Sequence, residues 1–298
     1  MEYRRTVIAD DVSVAASSVT TFDMPVNPIS HLMFTMRFLN VTDEATLAQI
    51  LARISNVTVT RFGQAIFNLS GADLQKLNFL MYGKAPILGN QVATDNAARF
   101  ISMIIPFSRK PYDQNEGLPA TLRGELKIQV TLSATETDVD NVSLQIEAIE
   151  MLGAAPKRYL KVTTLTQTLV SGVDNDLNLP IGNVYAGIML FSTTVPTGTA
   201  FTTTADKVRF LLDNVERNYV TSNWESLHGE LLLRPGHTEV YDASADNDDV
   251  VNYGLLDFSP ANDDTYLVDT KGKSQCVLKI TAGDANPVRV FPIELVSA

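Results

Sequence analysis

Alternation of apolar and polar positions with a period of two recurs along the chain. In HLMFTMRFL (31–39), Leu32, Phe34, Met36 and Phe38 fall on one face of a strand, and Thr35 and Arg37 fall on the other. GELKIQVTL (124–132) places Leu126, Ile128, Val130 and Leu132 on one side, with Lys127, Gln129 and Thr131 opposite. KVTTLTQTLV and CVLKITAG read the same way, and turn-forming stretches such as DQNEGLP, SPANDD and TKGK separate the runs. Two segments of the first half carry helical spacing instead. In TDEATLAQILARI, Thr42 is the expected cap, Asp43 and Glu44 sit in the expected first turn, and Leu47, Ile50, Leu51 and Ile54 form a stripe. In SGADLQKLNFLMYG, Ser70 and Asp73 suggest a capping box, Leu74, Leu77 and Met81 a stripe, and Gly83 a stop. The pattern predicts an all-β protein with short connecting helices.

The pattern also repeats. IIPFS (104–108) and LLDFS (255–259) both end an apolar run in Phe-Ser, and Ile105 and Leu256 are 151 residues apart. Hairpin turns expected at Phe62-Gly63 and Asp213-Asn214 have the same offset, as do the hydroxyls of Ser70 and Thr221 that precede helix-like segments. In the second of these segments Ser222 and Glu225 match a capping box, and Trp224 is expected to pack within the helix. LKI recurs at 126–128 and 278–280, Pro25 and Pro180 each precede an apolar strand, and AIEML is echoed by PIELV. A unit written twice follows, with a break near LGAAPKRY (152–159). The expected division is an N-terminal segment 1–20, a first unit 21–153, a linker 154–158 and a second unit 159–298. Each unit has the length of an eight-stranded sandwich, of which the jelly roll is one form.

Composition narrows the chemistry. The 298 residues carry a formal charge of −11, which disfavours sequence-independent nucleic-acid binding. Cys276 is the only cysteine, so neither an internal disulfide nor a cysteine zinc site is available. No stretch reads as a signal peptide or approaches the ~20 apolar residues of a membrane span, so a soluble chain folding in a reducing cytoplasm is expected. His31, His228 and His237 share no metal-ligand spacing, and neither a nucleophile elbow nor a phosphate loop occurs. The acidic residues Asp242, Asp246, Asp248 and Asp249 lack EF-hand spacing and read as a solvated loop, as do Asp138/Asp140 and Asp263/Asp264. Glu147 and Glu150, three apart in a strand, are expected on opposite faces. In RFISMIIPFSRKPY, Arg99, Arg109 and Lys110 alternate with Phe100, Phe107 and Tyr112. A buried strand with basic loop residues at its flanks is favoured there over a base-stacking surface. No catalytic, cofactor-binding or metal residue is assigned.

ATLAQILARISNVTVTRFGQAIFNLSGADLQKLNFLMYG (45–83) resembles the double jelly-roll major capsid proteins of tailless icosahedral viruses, in feel closest to those of bacterial viruses with an internal membrane. A short helix, a strand, a tight turn, a second strand and a capped helix follow one another in that order. MIIPFSRKPYDQNEGLPA looks like the next strand and its polar loop. The second half follows through VRFLLDNVERNYV and GLLDFSP, with Asp-Asn where an Asn-Gly turn is more usual. The resemblance implies two tandem eight-stranded jelly rolls and homotrimers of pseudo-hexagonal outline that tile a virion shell assembled in the host cytoplasm. It implies no enzymatic activity and no cofactor. Its partners would be other copies of the chain, vertex and minor capsid proteins and an internal membrane, for which Arg4 and Arg5 are the candidate contact. Direct nucleic-acid binding is not expected. A carbohydrate-binding β-sandwich, or a minor capsid or spike protein of the same fold, is the alternative. One Trp and few clustered aromatics weigh against the carbohydrate reading.

Overall fold

The computed structural model describes residues 2–83, 87–90, 92, 94–134, 137–197, 199–233 and 250–298. The chain divides into two compact units, residues 1–163 with 297–298, and residues 164–296.

Unit 1 opens with β1 (Glu2–Ser13), β2 (Val19–Asp23) and β3 (Ile29–Leu39), followed by α1 (Leu47–Arg53), β4 (Ile54–Arg61), β5 (Gln64–Leu69) and α2 (Gly71–Tyr82). It continues with β6 (Ile87–Gly89), β7 (Ala98–Pro106), β8 (Leu126–Leu132), β9 (Asp140–Leu152) and β10 (Arg158–Thr163). One sheet runs β1-β9-β3-β7-β6; the other runs β10-β5-β4-β8-β2, antiparallel except for the β10–β5 pair. The faces that alternate in sequence are those that bury: Leu32, Phe34, Met36 and Phe38 from β3, and Leu126, Ile128, Val130 and Leu132 from β8, are all 2% exposed or less. Burying a side chain of this size contributes roughly 1.5–3 kcal/mol.

Unit 2 contains β11 (Leu165–Thr168), β12 (Asp174–Asn178), β13 (Val184–Ser192), β14 (Ala205–Leu212), β15 (Val215–Glu216), β16 (Ser222–Asn223) and α3 (Trp224–Gly229). A 3₁₀ turn at Glu230–Leu233, β17 (Tyr253–Asp257), β18 (Val268–Asp269), β19 (Cys276–Ala282) and β20 (Pro287–Ser297) complete it. One sheet runs β11-β20-β13-β17, with β18 also on β13. The other runs β12-β19-β14-β15, with β16 also on β14. Its core gathers Tyr185, Ile188, Phe210, Trp224, Phe258, Leu278 and Val290.

The two units share one connectivity. With β6, β10, β16 and β18 set aside and the remaining strands lettered B to I in chain order, β1-β9-β3-β7 and β11-β20-β13-β17 are both B-I-D-G, and β2-β8-β4-β5 and β12-β19-β14-β15 are both C-H-E-F. This is the jelly-roll order. The repeated landmarks fall on equivalent strands. IIPFS lies on β7 and LLDFS on β17, both G; the LKI triplets lie on β8 and β19, both H; AIEML and PIELV lie on β9 and β20, both I. Phe62-Gly63 and Asp213-Asn214 are both E–F turns with positive φ at each residue, so the Asp-Asn turn reproduces the first turn's geometry.

Four expectations are corrected. Residues 1–20 are not a separate segment: β1 pairs with β9 from Glu2 to Ser13 and forms the B strand of unit 1, because its side chains answer carboxylates on β9. The expected linker 154–158 runs into β10, which stays with unit 1 through its pairing with β5, so the division falls at 163/164 rather than 158/159. Helix α1 begins after Thr46, not Thr42. Thr46 and Gln49 form a reciprocal capping box, and Glu44 lies outside the helix, paired with Arg99. Helix α3 has Asn223 at its N-cap with no side-chain cap, so the Ser222–Glu225 box does not form. In α2, Ser70 does cap, accepting from the Asp73 amide at 3.2 Å, and Gly83 ends the helix in the left-handed region at φ 65°. Leu74 and Leu77 are buried there, whereas Met81 is half-buried. Gly71 is required by packing: a Cβ would sit 2.6 Å from the Leu51 carbonyl oxygen at the α1 boundary.

Candidate functional site

The residues that sequence inspection singled out for chemistry are engaged in structure. His31 is buried, with Nδ1 2.9 Å from the Ser30 hydroxyl and its ring edge-on to Tyr112 at 5.3 Å, which in turn meets Tyr3 at 5.4 Å. Burial, aided by the nearby Arg5 charge, holds its pKa down at about 4, so the ring is neutral at physiological pH. His228 stacks on Trp224 at 6.3 Å, with Nδ1 3.0 Å from the Tyr253 carbonyl oxygen. His237 and the run Asp242–Asp249 lie outside the described residues. Asp263 closes a local turn by accepting from the Thr265 amide, and Asp138 accepts from Gln49. Among the described residues no group of three or more His, Cys, Asp or Glu side chains is placed to hold a metal.

Charged side chains of unit 1 pair with partners within the unit. Arg4 donates to both oxygens of Glu150 at 3.0–3.2 Å, joined by Thr6 and Asn27, and Arg5 pairs with Glu147. Arg4 and Arg5 are adjacent in β1 and so point to opposite faces, as do the two glutamates they engage. Both arginines stitch β1 to β9 and are not a free basic arm. Arg99, expected as a loop residue, is a buried strand residue that donates to the Asn40 side chain and the Ala45 carbonyl and pairs with Glu44. Arg109 is buried against Glu116, which also receives Arg158 of β10 at 2.7 Å. Burial raises the Glu116 pKa, but the bonds and charges of Arg109 and then Arg158 outweigh it, leaving the carboxyl below its usual range. Arg99 and Arg109 of RFISMIIPFSRKPY are engaged by internal partners and Ile101, Met103, Ile105 and Phe107 fill the core, whereas Lys110 and Tyr112 are exposed.

The E–F turns close equivalent corners of the two units. In unit 1 the E–F turn meets the G–H connection: the Phe62 amide donates to the Glu125 carbonyl at 2.9 Å, and the Thr121 amide donates to the Val26 carbonyl of the C–D connection. Phe62, Leu122 and Val26 are there 62%, 73% and 42% exposed. The Arg61 guanidinium lies 5.1 Å from the Phe62 ring centroid, and Arg123 is exposed beside Leu122. In unit 2 the same turn is held by side-chain hydrogen bonds, with Val215 beside it 53% exposed. Asp213 accepts from the Ser274 amide and hydroxyl, from the Gln275 amide and from Lys273. The Asp213 amide donates to the Gln275 carbonyl at 3.0 Å, the counterpart of the Phe62–Glu125 bond in unit 1.

Protein-family models and curated proteins give no match to this sequence. Solved structures do. The chain is similar to the STIV MCP over 100% of its own length and 97% of the other, with a TM-score of 0.74 and 12% identity. It is similar to the major capsid protein of Bacteriophage PM2 over 99% and 98%, with a TM-score of 0.68 and 15% identity. The fold is the double jelly roll. The PBCV-1 virus capsid structure agrees over 99% and 93% at a TM-score of 0.65 and 8% identity. The double jelly roll spans the whole chain.

Proposed function

We propose that the chain is a major capsid protein whose homotrimers, pseudo-hexagonal in outline, tile an icosahedral virus shell. The observation that carries this reading is end-to-end agreement with capsid proteins across two rolls of identical connectivity. Two like rolls per chain give a trimer six similar lateral modules, so a three-fold particle meets neighbours with nearly six-fold edges. Many weak lattice contacts then act together. Function in this reading is shape, without a catalytic step, and the protein resides in the virion after assembly in the host cytoplasm. Vertex proteins, minor capsid proteins and an internal membrane are the partners such a shell calls for. Light scattering on the purified chain tests the proposal. A particle of about 98 kDa (3 × 32.6 kDa) or larger lattice pieces is expected. A stable monomer at all concentrations refutes it.

A further inference from the structure

We propose that the first half of β1, Glu2–Val7, is a releasable strap that acid lifts off β9 while the core of unit 1 stays folded. The device belongs to the chain itself and does not rest on the capsid reading.

β1 is the edge strand of its sheet and pairs with β9 alone. From Glu2 to Val7 the register runs unbroken against Leu152 to Glu147. It then shifts between Val7 and Ala9, and again between Ala9 and Val12, and such bulges interrupt the ladder where a hinge would lie. Past the first shift, Ala9 and Val14 are buried and hold the chain to the core. Before it, none of residues 2–7 is buried, and Tyr3 and Val7 are 65% and 52% exposed. Tyr3 meets Tyr112 edge-on. Among the described residues, every side-chain hydrogen bond of this half ends on a carboxylate of β9: Arg4 and Thr6 on Glu150, and Arg5 on Glu147. Unit 2 holds its equivalent strand, β11, differently. Leu165 packs on the core there, and Leu169 just beyond the strand is 2% exposed. The roll therefore does not need charges to keep a B strand in place.

Glu150 is fully buried, and only donors surround it. Its Oε1 accepts from Arg4 Nε at 3.2 Å, from Arg4 Nη2 at 3.0 Å and from the Thr6 hydroxyl. Its Oε2 accepts from Arg4 Nη2 at 3.1 Å and from the Asn27 amide at 2.6 Å. A carboxylate has about four lone-pair sites, so a proton arriving on either oxygen meets a donor already in place. One partner must then leave. Asn27 belongs to the C–D connection, whereas Arg4, 54% exposed, can carry its charge to water and take the edge strand with it. Burial pushes the Glu150 carboxyl up, but the bonds from Thr6, Asn27 and Arg4 outweigh it and leave it below its usual range. The hold is complete at neutral pH and is lost as pH falls through the folded value, below roughly pH 4. Glu147, which takes Arg5 and the Gln145 amide, loses its pair in acid as well. His31 of β3 lies beside Arg5 and gains its charge at about 4, so its repulsion of Arg5 acts in the same direction.

Hydrogen exchange of the full-length chain, read by mass spectrometry as protection factors from neutral pH to about pH 3.5, tests the strap. Residues 2–7 are expected to lose protection by roughly tenfold or more in acid, while the amides that join β3 to β7 keep theirs. Glu150→Gln is neutral at every pH and adds a donor where Arg4, Thr6 and Asn27 already donate, so it should show the open strap at neutral pH. Arg4→Gln leaves the buried carboxylate in place and should open the strap several-fold at neutral pH, as raised salt should in the wild type. Residues 2–7 that keep their protection in acid, or lose it only together with β3 and β7, overturn the proposal. So does a folded Glu150→Gln protein with wild-type protection at neutral pH. Should Glu150→Gln fail to fold, an Arg4→Gln strap as protected as the wild type overturns it instead.

Discussion

Glu116 is the point at which a single substitution should cost unit 1 most. Its side chain is 2% exposed and lies between Arg109, 7% exposed, and Arg158, 28% exposed. It also accepts the Arg109 backbone amide at 3.1 Å. Around it, the Gly117 amide donates to the Arg158 carbonyl and the Lys157 amide to the Asn115 carbonyl, so the carboxylate fastens the G–H connection to β10. Glu116→Ala removes the carboxylate that Arg109 and Arg158 share. Breaking a buried pair in this way costs about 3–5 kcal/mol. Arg158 can turn part of its charge to water, which places the expectation near the lower figure. At roughly 2–4 °C per kcal/mol for a unit of this size, the transition of unit 1 should fall by about 6–12 °C. Glu116→Gln keeps an acceptor for the Arg109 amide and should lose about half as much. Because the folded carboxyl is held below its usual range, its contribution is complete at neutral pH and disappears as pH falls through the folded value. Both variants should therefore flatten the acid limb. Calorimetry and far-UV circular dichroism between neutral and acid pH give the comparison. A Glu116→Ala protein within about 1 kcal/mol of wild type at neutral pH would show that the desolvation cost of the cluster cancels its attraction, and would refute the reasoning.

His31, neutral when folded down to about pH 4, refuses a proton that the unfolded chain accepts below about 6.5; stability should fall across that window by at most ~3 kcal/mol, and His31→Asn should remove this slope in pH-dependent urea titrations. Phe62→Asn alone should raise stability by about 1 kcal/mol, read as a higher melting temperature, because Asn relieves the positive-φ strain. Cys276 is buried, with its thiol pushed up to about 12 chiefly by that burial, so a thiol reagent should label it only as fast as the protein unfolds. Phe210→Ala, which empties a fully buried site 5.0 Å from the Phe258 ring, should cost about 3–5 kcal/mol by chemical denaturation.

The strands with a wet and a dry face were legible because their burial is written every second residue: β3, β8 and their partners alternate as the sequence does. The repeat was legible because turns and G strands must recur where the connectivity recurs. What escaped reading depends on contacts between distant segments. The register of β1 is set by Arg4 and Arg5 meeting Glu150 and Glu147 almost 150 residues later, and a dipeptide of arginines gives no local hint of that. Arg99 and Arg109 are chemically basic but structurally interior, and only their partners Glu44, Asn40 and Glu116 reveal it. At α1, two threonines stand four residues apart, and Gln49 decides between them by completing the box on Thr46. The parallel addition of β10 to β5 has no periodicity signal at all, since a six-residue run after an Ala-Pro stretch reads equally well as the start of the next unit.

A duplicated fold supplies its own control for separating folding from function. Positions that agree between the rolls, such as the fully buried Phe of each Phe-Ser pair, Phe107 and Phe258, serve the core that both units must build. Positions that differ at equal backbone geometry are released from that duty. At the E–F corner the backbone is the same, with positive φ at both turn residues, yet one copy spends its side chains on internal hydrogen bonds and the other presents them to solvent. Folding alone favours the Asp-Asn copy of this turn, because Asp and Asn tolerate the left-handed region that Phe resists. The same comparison ranks Glu116 differently. It has no strain to relieve and is 2% exposed, so its loss should weaken the fold. A Glu116→Gln protein should accordingly lose stability whereas Phe62→Asn gains it, read side by side in urea titrations. If the two variants instead shifted stability in the same direction, the division between shared core and divergent corner would not hold.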